Sequence, residues 1–305
     1  MALTSRYLQL LVHPVHKSPL FYDAAAEQMT DPQTGDRFPV KEGVPVLLTD
    51  SIISELAQTE RHLEAGTEFR YKEHYQNDAV AYDYFEETSF PVERTEINRL
   101  RQTIVSRIPE RAQWILDIGC GGSWLAKTMV PKGYNVISTD ISDINPVRAV
   151  RNLPAENHFG LVADVFELPL KEQSMDCIVA SEIIEHVPDP KRFLDALFAV
   201  LKPGGVLIVT TPYNEVIRTS LCIHCNRLTP HNAHLHSFTE KSIRKYLPAQ
   251  AANAKTTVFN SKLLVKTQLQ HLFRGVPLSL WSAVDKLGIA LTGRKAYRLM
   301  AEIYR

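Results

Sequence analysis

Between Trp114 and Pro212, short apolar runs alternate with helix-like stretches, and this rhythm restricts the fold more than any other feature of the chain. WILDIG, NVISTDIS, HFGLVADV, MDCIVASEI and VLIVTTP have the length and apolar content of buried strands. SWLAKTMVPKG and PKRFLDALFAVL, which lie between them, have helical spacing. Strands separated by helices build a parallel sheet covered on both faces, because each crossover returns the chain with its helix packed on the sheet. Ligands of such sheets gather at the carboxyl ends of the strands. The residues at those ends are therefore the first candidates for function.

The first run leads into LDIGCGGSWLA, residues 116–126, read as a strand, a glycine loop and a helix. Glycines there allow the backbone to approach a ligand closely. A dinucleotide-binding loop shares the first two, Gly119 and Gly121, but Trp124 occupies the position of its third glycine, which disfavours a dehydrogenase. Asp140 closes the second run, 23 residues after Asp117, where a carboxylate accepts hydrogen bonds from ribose hydroxyls. Asp164 closes the third, in ADVFELPL, where a carboxylate accepts from an exocyclic amine. Ser181 and Glu182 close the fourth.

In order and spacing, LDIGCGGS, STDIS, ADVFELPL, MDCIVASEIIEHV and LKPGGVLIVTTP resemble the class I S-adenosylmethionine-dependent methyltransferases, in particular the broad group that includes the quinone-biosynthesis C-methyltransferases. The resemblance covers about 113–305. It implies an α/β, Rossmann-like, seven-stranded sheet with helices on both faces. It also implies S-adenosyl-L-methionine as cofactor. Gly119, Cys120 and Gly121 would follow its methionine part, with Asp117 beneath the amino group. Asp140 would hold the ribose, Ile141 would pack near the adenine, Asp164 and Val165 would meet the adenine edge, and Ser181 would complete the set. One position departs from the pattern: the usual last glycine of the loop is Ser123.

Methyl transfer is an in-line substitution, so proximity and alignment carry much of the acceleration. A base is needed only where the acceptor must lose a proton. His186, just past the fourth run, is the candidate base; the competing reading makes the Glu-His pair structural. By resemblance, Tyr75 and Tyr82 belong to a lid over the cofactor, and Tyr213 lies in the region that builds the acceptor pocket. The plainer reading of these aromatics is packing against the sheet.

Three segments follow. Residues 1–50 contain short β-like runs, LQLLV, RFPV and VPVLL, divided by turn-forming stretches. Over about 8–50 they resemble the small zinc-ribbon-like domain that activates nucleic-acid and protein methyltransferases, without its usual four cysteines. His13 and His16 stand at the first Cys-x-x-Cys, and Asp31 and Thr34 fall near the second pair, so a degenerate ribbon held by its apolar strands is expected. Residues 51–112 read as a helical linker and lid, and 113–305 as the methyltransferase domain with an acceptor-site insertion at 213–238.

That insertion includes LCIHCNRLTPHNAHLHSF. Cys222, Cys225, His234 and His236 have spacing suited to a structural tetrahedral zinc. Ordinary surface and core histidines, or a single acid/base histidine, account for the same residues. KTTVFNSKLLV is expected as a sixth strand and YRLMAEIYR as a seventh. Between them Leu278, Trp281, Val284, Leu287 and Leu291 recur at helical spacing, with basic residues near the ends. Such a helix lies on a membrane or covers a lipidic acceptor, or else packs on the protein's own core.

The formal net charge of +0 hides an asymmetry. Residues 239–305 hold twelve Lys/Arg against three Asp/Glu, while 1–238 hold 22 against 31. The basic segment suits RNA, anionic lipid or a phosphorylated substrate, or is a solvated rim. Four cysteines are too sparse for a disulfide scaffold, and the N-terminus has no secretory signal pattern. No apolar run approaches the ~18–20 residues needed to span a bilayer, so a cytoplasmic protein is expected. The expected function is methylation of a small or lipid-like metabolite. RNA (tRNA) methylation and a non-catalytic cofactor-binding partner are the alternatives.

Overall fold

One eleven-stranded mixed sheet organises the chain in a computed structural model that describes residues 3–49, 71–222, 226–273 and 275–305. Four short strands come first: β1 (Phe21–Asp23), β2 (Gln28–Thr30), β3 (Arg37–Lys41) and β4 (Val44–Leu47). The five apolar runs form β5 (Trp114–Ile118), β6 (Asn135–Asp140), β7 (His158–Ala163), β8 (Met175–Ser181) and β9 (Leu201–Pro212). The insertion contributes a separate hairpin, β10 (Thr219–Leu221) with β11 (Leu228–Pro230). β12 (Asn253–Ser261) and β13 (Ala296–Tyr304) complete the set. The order is β1-β2-β3-β4-β7-β6-β5-β8-β9-β13-β12, parallel from β4 through β9 and antiparallel at β13.

Period-two alternation divides the strand side chains between two cores. Leu116, Ile178, Leu207 and Val209 face one side, against Phe193, Leu194 and Leu197 of the helix Pro190–Val200. Ile115, Val179, Val206 and Ile208 face the other, against Leu100 and Ile104 of the helix Pro91–Val105 and Leu125 and Met129 of the helix Trp124–Met129. Asp189 caps Pro190–Val200 by accepting the N–H groups of Lys191 (2.9 Å) and Arg192 (3.0 Å).

The expected seven strands are present, but the N-terminal strands extend them to eleven. β4 pairs in parallel with β7 through Val46↔Val162 and Leu47↔Ala163. LQLLV is not a strand. Ser5–Leu8 is a helical turn, and only Leu11 and Val12 make isolated bridges, to Leu170 and Pro19. Tyr7 from this turn is fully buried and donates its hydroxyl to the Gly160 carbonyl at 2.8 Å.

The polar residues that stand where the ribbon's cysteines would be make hydrogen bonds of their own. His13 Nδ1 accepts the N–H groups of Val15 and His16 at 3.1 Å each, so Nε2 carries the proton and donates to Asp36 at 3.0 Å. The acidic residue that joins His13 and His16 is thus Asp36, not Asp31. Asp31 is buried and takes the Ser18 hydroxyl, while Thr34 bonds to Asp36.

The sixth strand stops at Ser261, and KLLVK continues as the helix Lys262–Lys266. Asn260 adopts a positive φ of 60°, which ends the pleat. The buried Asp285 carboxylate then accepts the N–H groups of Asn260 (2.9 Å) and Ser261 (2.7 Å). Asp285 comes from the helix Leu278–Leu291, whose Trp281 is buried while Leu287 and Leu291 are exposed. The expected apolar stripe therefore splits between two faces.

Candidate functional site

The carboxyl ends of β5 to β9 open on a cavity of about 2030 Å³. Its shape begins with the loop after β5. Gly119 has φ +66°, and a Cβ there would lie 2.2 Å from Ile183 Cδ1. A Cβ on Gly122 would lie 2.0 Å from the Tyr84 carbonyl oxygen. Ser123, at the usual glycine position, is fully buried with φ 53° and leads directly into Trp124–Met129. That left-handed conformation costs a side-chain-bearing residue about 1–2 kcal/mol, which explains the preference for glycine there.

Gly119, Cys120, Gly121, Asp140, Ile141, Asp164, Val165 and Ser181 all line the cavity, as the strand-end rule requires. Asp117 does not. It sits buried behind the loop, and its Oδ2 has no hydrogen-bond partner among the described residues. Burial, with Asp140 nearby, pushes its carboxyl up to about 8. Asp140 accepts from Ser142 N–H (3.0 Å) and Asn145 Nδ2 (3.1 Å), and burial still raises its pKa. Asp164 accepts the Tyr71 hydroxyl and the Phe166 N–H (3.0 Å), with Lys72 Nζ 3.8 Å away. Burial outweighs these partners and raises it too. Burial also raises the Cys120 thiol well above its usual range, so this wall residue is not an activated nucleophile.

The helix Tyr71–Ala81 and the loop after it cover the cavity. Tyr75 meets the His186 ring edge-on at 6.0 Å. Tyr82 is exposed at the cavity wall. Tyr84, which lay outside the expected site, packs over Gly121 and Gly122. Phe85 is held between Arg148 (4.4 Å) and Lys127 (5.4 Å), and Asp83 pairs with Arg148 at 3.0 Å.

Past the end of β8, the cavity is lined by a cluster of histidines and glutamates. His186 Nδ1 donates to the Ala233 carbonyl at 3.3 Å, which leaves Nε2 as an acceptor 4.0 Å from Glu185 Oε1. Burial, with His234 adding, lowers His186 to about 4, so its ring is neutral at pH 7. The His234 ring stands 4.8 Å from it, and His234 Nδ1 donates to Glu215 Oε2 at 2.6 Å. Glu185 is buried with neither carboxyl oxygen hydrogen-bonded among the described residues. Burial and the neighbouring Glu182 push its pKa well up. Glu182, at φ 59°, meets Arg298 Nε at 3.0 Å. Tyr213 lines the cavity but turns its hydroxyl to Glu240 (2.9 Å).

Of the expected zinc set, Cys225 lies outside the described residues. His234 gathers with Glu185 and His186, whose ligand atoms lie within 4.8 Å of one another, a donor set able to hold a metal ion. Among the described residues, Cys222 and His236 are not part of that group. Leu235 N–H (2.7 Å) and His236 N–H (3.2 Å) both donate to the Glu185 carbonyl, drawing this segment against the loop after β8. The His236 ring packs near Phe238 (6.0 Å). No sequence pattern pointed to Glu215, because it meets His234 only through the folded insertion. Glu185 carried a signal in its position beside His186.

A family model described as a methyltransferase domain matches residues 90–256, beginning just ahead of the helix Pro91–Val105. A ubiquinone biosynthesis O-methyltransferase of Xylella fastidiosa is 31% identical over 146 residues, 45% of this chain and 59% of that protein. One from Pseudomonas aeruginosa is 31% identical over 144 residues, 44% of this chain and 60% of that protein. The matched stretch thus spans less than two thirds of either relative. Among solved structures, an S-adenosylmethionine dependent methyltransferase from Mesorhizobium loti aligns with a TM-score of 0.47 and 17% identity, over 69% of this chain and 100% of that one.

Proposed function

Since the chain belongs to the methyltransferase-domain family, we propose that it transfers a methyl group from S-adenosylmethionine to a hydroxyl of a small or lipid-like acceptor. The observation that carries this reading is one cavity with two chemically distinct walls. Asp140 and Asp164 stand at the ends of β6 and β7, while Glu185 and His186 follow β8, with His234 beside them. Ligand pockets usually measure about 300–1,000 Å³, so a cavity of about 2030 Å³ has space for cofactor and acceptor together. Phe90, Ile97 and Val216 give its wall an apolar component, which supports a lipid-like acceptor. The named relatives are O-methyltransferases of ubiquinone biosynthesis, which supports oxygen as the accepting atom.

The residues fit the cofactor. Two glycines leave no room for a Cβ beside the loop, and the Asp140 and Asp164 carboxylates suit ribose hydroxyls and an exocyclic amine. When bound, S-adenosylmethionine supplies a methyl group already activated by a sulfonium. The chain's own residues do the rest. Tyr84 packs over the glycine loop and Tyr75 lines the cavity beside His186, and both keep water from the transfer. His186 is neutral at pH 7 with Nδ1 committed to Ala233, so Nε2 is the atom that takes the acceptor's proton. The Glu185 carboxyl, 4.0 Å from Nε2, is the acidic group beside that nitrogen. Glu215 fixes His234, which packs against His186 and sets its ring orientation.

The test has two parts. Titration calorimetry should detect binding of S-adenosylmethionine or its demethylated product, weakened about 100-fold by Asp140→Ala, for two lost hydrogen bonds to a charged acceptor at about 1.5 kcal/mol each. Labelled cofactor should then be incubated with cell extract and the label counted in lipid, small-molecule, RNA and protein fractions. Absence of binding overturns the whole reading. Label confined to RNA or protein overturns the acceptor class alone.

A further inference from the structure

The helix Leu278–Leu291 is apolar on both sides. Trp281, Gly288 and Ile289 are buried against the body of the protein. The opposite arc carries Ser279, Leu280, Ala283, Lys286, Leu287, Ala290 and Leu291, all exposed, with one charge among them. A surface helix in contact with water alone carries polar residues on its outer face. Here Leu287 is 60% exposed and Leu291 72%, and Leu272 in the preceding 3-10 turn, Leu269–Phe273, is 76% exposed.

The charge around this face has one sign. Residues 262–295 contain six Lys/Arg and a single acid, Asp285. That acid points inward and is satisfied by the Asn260 and Ser261 N–H groups. Lys266, Lys286, Arg294 and Lys295 are exposed. Arg294 has Glu240 as partner, whereas Lys266, Lys286 and Lys295 have no ion pair among the described residues.

We propose that this face seats the protein on an anionic phospholipid surface, with Leu272, Leu280, Leu287 and Leu291 entering the acyl boundary and the lysines meeting the headgroups. Apolar residues bordered by unpaired lysines match a lipid interface, where both terms add. A nucleic acid would leave the leucines uncovered. The topology gives the seat a direction. β12 ends at Ser261 and β13 begins at Ala296, and the flanking residues Lys262, Tyr297 and Arg298 line the cavity. The seat therefore hangs from the same end of the sheet as the cavity mouth. No helix of the described residues is long and apolar enough to cross a membrane, so the contact is peripheral.

The inference stands apart from methyl transfer, because its readout is vesicle binding by the full chain. Sedimentation with phosphatidylglycerol-containing phosphatidylcholine vesicles should carry the protein down, and phosphatidylcholine vesicles should do so at least about tenfold less. Leu280→Ser, Leu287→Ser and Leu291→Ser combined should reduce binding about tenfold or more, with the circular dichroism spectrum unchanged because these side chains are exposed. Lys286→Glu with Lys295→Glu should abolish the preference for the anionic vesicles. Equal binding to both vesicle types, or none to either, overturns the proposal. So does a concentration-dependent dimer in sedimentation velocity that the leucine variant dissolves, which would assign the face to a second copy, or tighter capture by RNA than by vesicles.

Discussion

Tyr71 donates its hydroxyl to Asp164, so the first turn of the covering helix is tied to the carboxylate at the end of β7. The tie is buried, and the Tyr71 ring also meets Phe166 edge-on at 6.4 Å. It links the cover of the cavity to a residue expected to read the cofactor.

Tyr71→Phe should therefore act on the cover before it acts on the fold. Asp164 keeps the Phe166 N–H but loses a hydrogen bond worth about 1.5–3 kcal/mol, of the kind made to a charged group. Amide hydrogen exchange in residues 71–81 should quicken by an order of magnitude or more, with β5 to β9 unaffected. Equal protection in both proteins would show that the helix is held elsewhere.

Asp117 gives a pH dependence of definite sign. Its carboxyl titrates at about 8 in the folded protein and near 3.9 when unfolded. Between these values the folded state binds the extra proton, so this group's contribution to stability is lost as pH rises from about 4 to about 8. Asp117→Asn removes the titration while keeping the shape. Urea unfolding at pH 5 and pH 8 should show the variant gaining on the parent at the higher pH, by several kcal/mol at most. A parallel response of the two proteins would exclude a raised Asp117.

The histidine pair separates catalysis from positioning. His186→Asn should lower kcat by about 10²–10⁴-fold with cofactor affinity unchanged, the usual contribution of a general base. Glu215→Gln keeps a hydrogen-bond acceptor for His234 but removes the charge, and should cost about tenfold in kcat. If Glu215→Gln proves as damaging as His186→Asn, His234 is the better candidate for the proton acceptor.

Gly288 tests packing at the root of the C-terminal helix. Alanine gains about 1 kcal/mol in helix propensity. Its Cβ, however, would lie 2.8 Å from Ser261 Oγ and 3.2 Å from Ser261 Cβ. Overpacking of this kind costs about 1–3 kcal/mol, so Gly288→Ala should lower the unfolding midpoint. Gly288→Ala combined with Ser261→Gly, which empties the contact, should recover most of the loss.

The parts of the molecule legible in sequence are those with local signals. β5 to β9 follow from short apolar runs broken by helical periods, and Asp140, Asp164 and Ser181 follow from the rule about strand ends. Long-range pairings were not legible. Nothing local in the sequence shows that the Glu185 carbonyl takes two N–H groups from the segment of His234 and His236, or that the His234 ring stands beside His186. β12 looked longer than it is, because the carboxylate that caps its end comes from Asp285, 24 residues after Ser261. Asp36 rather than Asp31 closes the His13 turn because Ser18 claims Asp31.

The pairing of β4 with β7 also governs the order in which the molecule is made. Val46 leaves the ribosome long before Val162, the residue it must sit beside. β1 to β3 close through nearby antiparallel contacts, but β4 has its second neighbour only once β7 has been synthesised. Until then one side of β4 carries unpaired backbone groups, the kind of exposed strand that invites intermolecular pairing. A chain cut after Leu47 would keep that liability, and a chain begun after it would pass the liability to β7. The two ends of this pairing protect each other, and neither can be expressed alone without uncovering the other.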